Sequence, residues 1–218
     1  MALNINRQQG THYNVKRIRR LMRSVNLQAV IRRKKKRYIP SKPQITAENI
    51  LNRNFDAMQV NEKWLTDVTE FKYGNGQKAY LSAILDLGDR SIVSYVLGHR
   101  NDNNLVFSTF DSAIESNPEA SPLFHSDRGF QYTNSVFRAK LDRSGCMQSM
   151  SRVSRCIDNG PMEGFWGILK SEMYYLKKFH TFDELKRAID EYIHFYNYER
   201  YQVKLNGLAP IEFRNQAV

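Results

Sequence analysis

Short apolar runs dominate the first half of the chain's main body. Residues 63–71, 79–85 and 91–97 are each of strand length and rich in β-branched and aromatic side chains, and Gly74-Asn-Gly76 and Gly88-Asp-Arg90 lie between them as turns. They read as three hairpin-connected antiparallel strands. Residues 104–115 then read as a helix, 123–125 as a short buried strand and 135–143 as another helix. Further along the period becomes helical. Met162, Phe165, Trp166, Leu169, Met173 and Leu176 share one stripe over residues 161–176, and Phe182, Leu185, Ile189, Tyr192, Ile193 and Tyr196 share another over 182–198. Thr181 followed three residues later by Glu184 has the form of a capping box, which marks where the last long helix begins. Hairpin-linked strands followed by alternating helices and short strands predict an α/β fold, a mixed sheet flanked by helices. Near the N-terminus, Val15, Ile18, Leu21, Met22 and Val25 recur at helical spacing while Lys16, Arg17, Arg19, Arg20 and Arg23 fill the other faces, which predicts a short basic amphipathic helix.

Charge sharpens this division. Residues 1–47 hold 13 Lys and Arg and no acid, whereas residues 48–218 hold 20 basic residues against all 22 acids, so an arm of +13 precedes a body of −2. After the helix comes the run Arg32, Arg33, Lys34, Lys35, Lys36 and Arg37, then Pro40 and Pro43, which mark a linker. The expected organisation is an arm and linker over 1–47, a core over 56–200 and a tail over 201–218. A polycation without acids displaces counterions from a phosphate backbone, so nucleic acid is the preferred partner, ahead of a solvated tail, a membrane surface or a regulatory partner. Apolar residues at 41% are enough for a core, and no apolar run approaches the roughly 18 to 20 residues that span a bilayer. Arg7 and His12 stand where a signal peptide has its apolar centre, so an unexported, cytoplasmic chain is expected, with Cys146 and Cys156 as reduced thiols.

Three acids stand out. Asp67 lies in the middle of the first strand, where Asp is disfavoured and an unpaired charge is costly to bury. Asp127 follows an apolar strand, at the strand end where open α/β sheets place ligands. Glu163 opens the helix whose stripe begins at Met162. Taken singly, each has a structural explanation: an ion pair, a turn, a first-turn charge on a helix dipole. Taken together, two Asp and one Glu are hard oxygen ligands of the kind that hold Mg²⁺. His125 reads as a core histidine and Asp158 as a helix N-cap; Arg128, Arg152 and Arg155 rank low as cations along a nucleic-acid path.

The words Asn61-Glu-Lys-Trp-Leu-Thr-Asp-Val-Thr69, His125-Ser-Asp-Arg-Gly-Phe-Gln-Tyr-Thr133, Gln148-Ser-Met-Ser-Arg152 and 158–172 resemble the core of insertion-sequence transposases related to retroviral integrases. The likeness runs over nearly the whole chain, and the 35 residues between Asp127 and Glu163 match the family's spacing of its second and third acids. The chain departs from the usual family words at Gly160 and Gly164. The family's members also begin with more helix-turn-helix sequence, so an N-terminally shortened copy, or recognition helices supplied by an upstream reading frame, is expected.

The resemblance implies an RNase H-like fold with Asp67, Asp127 and Glu163 as catalytic acids holding two Mg²⁺ (or Mn²⁺) ions. It further implies cleavage at element ends and strand transfer of the 3′-hydroxyl into target DNA, by a homo-oligomer on DNA in a bacterial, nucleoid-associated setting. Lys170, seven residues beyond Glu163 on nearly the same helical face, is a candidate phosphate contact alongside the arm's cations Arg17, Arg20, Arg23 and 32–37. Asn159, one turn before Glu163, either orients that acid or caps the helix. A non-catalytic DNA-binding inhibitor and a simple metal nuclease are the competing functions.

Overall fold

The computed structural model describes residues 1–28, 47–152 and 156–216. Two helices, α1 (Ala2–Gln9) and α2 (Val15–Ser24), precede β1 (Lys63–Tyr73), β2 (Gln77–Asp86), β3 (Ile92–Gly98), α3 (Asn103–Ser116), β4 (Leu123–Ser126), α4 (Ser135–Arg143), β5 (Met147–Met150), α5 (Gly160–Glu172), α6 (Phe182–Tyr198) and α7 (Pro210–Gln216). The five strands form one sheet in the order β3-β2-β1-β4-β5, with antiparallel β1–β2 and β2–β3 pairs and parallel β1–β4 and β4–β5 pairs.

Both faces of the sheet are covered because its strands alternate apolar residues to either side. Leu65, Leu81 and Leu85 pack with Phe165, Leu169, Leu185 and Ile189 of α5 and α6. Trp64, Ile84 and Phe124 pack with Val106, Phe110 and Phe137 of α3 and α4. Asp102 caps α3 by accepting the Leu105 N–H at 3.0 Å, and the expected cap of α6 is present, with Thr181 Oγ1 accepting the Glu184 N–H at 3.1 Å.

Several elements differ from the sequence reading. The third strand-forming apolar run continues as expected, but β5 was hidden in the half-polar stretch Met147–Met150. Its Ser149 is buried because the hydroxyl meets His125 Nδ1 at 2.9 Å, so hydrogen bonding replaces the apolar signal. The helix expected over 161–176 stops at Glu172; a short 3₁₀ turn follows at Tyr174–Leu176, with the Tyr174 side chain turned back onto β1. Two short helices were not foreseen, α1 and α7. They meet each other: Arg7 bonds Gly207 O at 2.7 Å, pairs with Glu212 and lies 4.3 Å over the Tyr201 ring. Arg214 of α7 pairs with the buried Asp86 and Asp89, which docks the C-terminal segment on the sheet. The N-terminal basic helix is present as α2, with Ile18 buried while Val15 and Leu21 stay exposed.

Gly164 lies inside α5 with open space where a Cβ would stand. Gly164→Ala is therefore expected to stabilise the protein by about 0.5 to 1 kcal/mol, since Ala loses less backbone entropy on entering a helix. Chemical denaturation measures this; an unchanged or lower midpoint contradicts it. No helix among the described residues is long and apolar enough to cross a membrane.

Candidate active site

The parallel pairing of β1 with β4 sets Leu65 against His125. Continuing that register two residues past the end of β4 at Ser126 sets Asp67 beside Asp127. Past Leu65, β1 has no β4 partner and its edge would be left with unpaired backbone groups. Helix α5 and the turn after it close this edge. Asn159 Nδ2 donates to Thr66 O at 3.0 Å, Lys170 Nζ to Glu70 O at 3.0 Å, and the Tyr174 hydroxyl bonds both the N–H and the C=O of Lys72 at 2.9 Å. Residues 66, 70 and 72 alternate along the strand, so all three present their backbone to the same side. These bonds hold α5 against the strand. Glu163, one turn past Asn159 and exposed, stands within electrostatic reach of Asp67.

The electrostatics follow from this crowding. Burial, then the charge of Asp127, raise the Asp67 pKa to about 7; Glu163 adds to the rise, while the Val68 N–H and the Trp166 indole N–H, 3.0 Å from Oδ2, oppose it. Asp127 is exposed as a residue, and its Oδ1 accepts the Gly129 N–H; desolvation is the largest influence on its carboxyl. That raises its pKa against the opposing Gly129 N–H at 2.8 Å. Tyr132 is buried, its hydroxyl 3.2 Å from Thr66 Oγ1, and burial together with the charges of Asp127 and Asp67 keeps the phenol protonated.

Among the described residues, no group of three or more His, Cys, Asp or Glu side chains is placed to hold a metal ion together. The acids form an open arrangement: two at the end of a parallel strand pair and one on an exposed helix face. Their chemistry suits a hard divalent cation, because the donors are all carboxylate oxygens and the repulsion that raises Asp67 is the kind a cation relieves.

Other expected site residues have different surroundings. Asp158 does not cap α5. It is fully buried and accepts Asn49 Nδ2 at 3.0 Å, Arg53 Nε at 2.7 Å, and the backbone N–H, Nε and Nη2 of Arg152 at 3.0, 2.9 and 2.8 Å. Arg152 is thereby drawn into an ion pair, and Arg128 Nε bonds Ser151 O at 2.6 Å. His125 is the core histidine expected: buried, bonded to Ser149 and Ser151, and lowered to about 4 chiefly by burial. Asn159 occupies the N-cap position of α5 but makes no side-chain cap bond there. Lys170 is buried, 2.5 Å from Thr69 Oγ1 and 4.9 Å from the Phe71 ring centre. In the arm, Arg17 lies 4.8 Å over the Tyr13 ring, and Arg20 and Arg23 are exposed. Residues 32–37 and Arg155 lie outside the described residues. Sequence reasoning missed Trp166 and Tyr132 as neighbours of the acids. Trp166 counted only as an apolar stripe position, which concealed its indole donor.

A mixed five-stranded sheet between helices, with its parallel β1–β4–β5 half, defines the class: an RNase H-like, integrase-type core. Two models described as integrase core domain match residues 57–156 and 163–218. A putative transposase, InsK for insertion sequence element IS150 of Escherichia coli (strain K12), is 44% identical over 217 residues, covering 99% of this chain and 76% of that protein. An uncharacterized transposase-like protein of Haemophilus influenzae is 41% identical over 205 residues, covering 94% of each chain. The chain belongs to the insertion-sequence transposase family with an integrase core. The fold agrees: the HTLV-2 integrase catalytic core domain in complex with magnesium, in its dimeric form, superposes with a TM-score of 0.55 at 19% identity, over 72% of this chain and 98% of that one. The simian T-cell lymphotropic virus intasome, in complex with the PP2A regulatory subunit B56 gamma, gives a TM-score of 0.62 at 15% identity, over 98% of this chain and 74% of that one.

Proposed function

We propose that this protein is a divalent-metal-dependent DNA transposase that cleaves at the ends of a mobile element and transfers the freed 3′-hydroxyl into target DNA. The observation that carries the reading is the register of β1 on β4, which aligns Asp67 with Asp127, together with the Asn159 bond to Thr66 that holds the start of α5, and so Glu163, near them. Asp67, Asp127 and Glu163 hold the ions, Mg²⁺ or Mn²⁺. Bound there, a pair of divalent ions supplies Lewis acidity to an attacking and a leaving oxygen in line. The protein's own part is to fix these oxygens and the DNA. Trp166 orients Asp67 through its N–H, and Tyr132 stays neutral beside the carboxylates. Water is the first nucleophile and the new 3′-hydroxyl the second, so no side chain forms a covalent bond to DNA. The named relatives that are transposases and the magnesium-bound, dimeric integrase core support DNA as partner, magnesium as cofactor and assembly on DNA as a homo-oligomer in the cytoplasm of a bacterium.

The test uses purified protein, the labelled terminal DNA of the element, Mg²⁺ and supercoiled target. Joined products support the proposal, cleavage alone marks a nuclease, and a mobility shift without products marks a binding protein. Glu163→Gln is expected to abolish joining while leaving DNA affinity within about twofold, because the exposed helix acid acts through charge and ligation. Joining retained by that variant removes Glu163 from the site.

A further inference from the structure

At the far end of β1 from the acids, the β1–β2 turn and the segment between α5 and α6 enclose an open groove of about 350 Å³. Three exposed lysines, Lys72, Lys177 and Lys178, line it, and none makes a salt bridge among the described residues, whereas Lys78 across the hairpin pairs with Glu70 at 2.9 Å. Its aromatic lining includes Tyr174 and Phe179, stacked 5.9 Å apart with planes 5° from parallel, and Tyr175, which is 60% exposed. The acid at its border, Glu184, is already bonded to the His180 N–H at 2.7 Å.

The groove is a defined shape. The Gly74 N–H donates to Phe179 O at 2.8 Å, tying the turn to the opposite wall. Gly74 has φ +50°, and a Cβ there would come 3.2 Å from His180 O, so the close approach needs glycine. The Tyr174 hydroxyl ties the same wall to both backbone groups of Lys72. A cationic rim beside an exposed aromatic face is the chemistry that holds a phosphodiester backbone and stacks an unpaired base. Lys72 lies five positions beyond Asp67 on β1, roughly 17 Å along the strand, with its side chain on the opposite face.

We infer that this groove is a second DNA site, in which Lys72, Lys177 and Lys178 bind backbone phosphates and Tyr175 stacks on an unpaired base. The inference rests on the reading of the protein as one that acts on DNA and adds where a single strand is held.

The experiment measures binding of the full chain to a fluorescein-labelled, mixed-sequence 20-nucleotide single strand, in EDTA and over a range of salt concentrations. Lys177→Ala/Lys178→Ala should reduce the slope of log affinity against log salt by roughly 1.4, the contribution of two phosphate contacts on a single strand. Tyr175→Ala should weaken binding about five- to a hundredfold, and Tyr175→Phe, which keeps the stacking face, should restore it. An unchanged slope in the double variant, or equal loss in both Tyr175 variants, overturns the proposal. So does loss of polyglutamate binding with oligonucleotide binding intact, which would make the groove a site for acidic protein. Joining by the wild type in Mg²⁺ tests the transposase reading separately. Joining with unaltered binding by the variants discards the groove alone; no joining with altered binding discards the reading and keeps the groove.

Discussion

Asp67→Asn is expected to lose strand joining by more than about a hundredfold, the upper cost of losing merely an outer partner of a metal ligand, and at the same time to become the more stable protein. The two effects share one cause. Burial and two neighbouring negative charges raise the Asp67 pKa from 3.8 to about 7 in the fold. The folded chain thus holds this proton more tightly than the unfolded chain, so ionisation favours unfolding. The stability present below pH 4 is lost as pH rises through about 7, and at pH 8 the full penalty acts on the wild type. Asn carries no charge and still offers an oxygen to the Trp166 indole, so the variant escapes the penalty without losing that bond. Because Asp67 is only partly buried, the gain is discounted to about 1 to 3 kcal/mol, or several degrees in Tm at this chain length. Thermal melts of both proteins at pH 4 and pH 8 are the check: the curves should converge in acid and separate in base. Added Mg²⁺ should raise the wild-type Tm and leave the variant's nearly unchanged. Equal melting at both pH values would mean that neither burial nor the neighbouring acids raise the Asp67 pKa.

That pattern would be the signature of a site held ready for a cation at the expense of stability. The repulsion arises because β4 ends at Ser126 and brings Asp127 level with Asp67, and because α5 is bonded along the edge that β4 leaves open. The side-chain bonds of Asn159, Lys170 and Tyr174 to the β1 backbone fix the helix that carries Glu163.

How much of this was legible in the sequence depended on the range of the interactions involved. The three long strands and α6 were readable because periodicity, glycine turns and a capping box are local. The candidate acids were readable because an Asp in mid-strand and another at a strand end conflict with local preference. Lys170 was not readable in the same way. Its spacing from Glu163 suggested a phosphate contact, yet its ammonium reaches Thr69 and Glu70, 101 and 100 residues away in the chain. Likewise β5 is half polar, and its burial depends on hydrogen bonds between the His125 ring and the hydroxyls of Ser149 and Ser151, which no hydrophobic pattern records. Asp158 had the local form of a helix cap, but its partners Asn49 and Arg53 lie 109 and 105 residues distant.

Asp158→Asn is expected to do the reverse of Asp67→Asn. Arg152 and Arg53 hold the Asp158 carboxyl far below the usual carboxylate range, with hydrogen bonds from Arg152 as the largest cause. The folded chain therefore favours the ionised form, so the stabilisation is present above about pH 4 and is lost as pH falls further. Removing one partner of a buried ion pair costs about 3 to 5 kcal/mol when both charges are inside. Here the carboxylate is fully buried but the Arg53 and Arg152 side chains are 37% and 44% exposed, so solvent screening reduces the expected loss to about 2 to 3 kcal/mol. The wild type should exceed the variant in Tm by roughly 5 to 10 °C at pH 7, and the difference should shrink as pH falls below 4. Activity should fall as well, although Asp158 is not proposed to hold a metal ion. It ties the segment at Asn49 and Arg53 and the loop at Arg152 to the start of α5, next to Asn159, whose amide holds Thr66 beside Asp67. Loosening that junction lets Glu163 drift from the strand acids. The joining defect should then be largest at low Mg²⁺ and be partly recovered at high Mg²⁺, unlike that of Glu163→Gln. A variant that melts with the wild type at pH 7, or whose deficit persists undiminished below pH 4, would show that the two arginines do not stabilise this corner through charge.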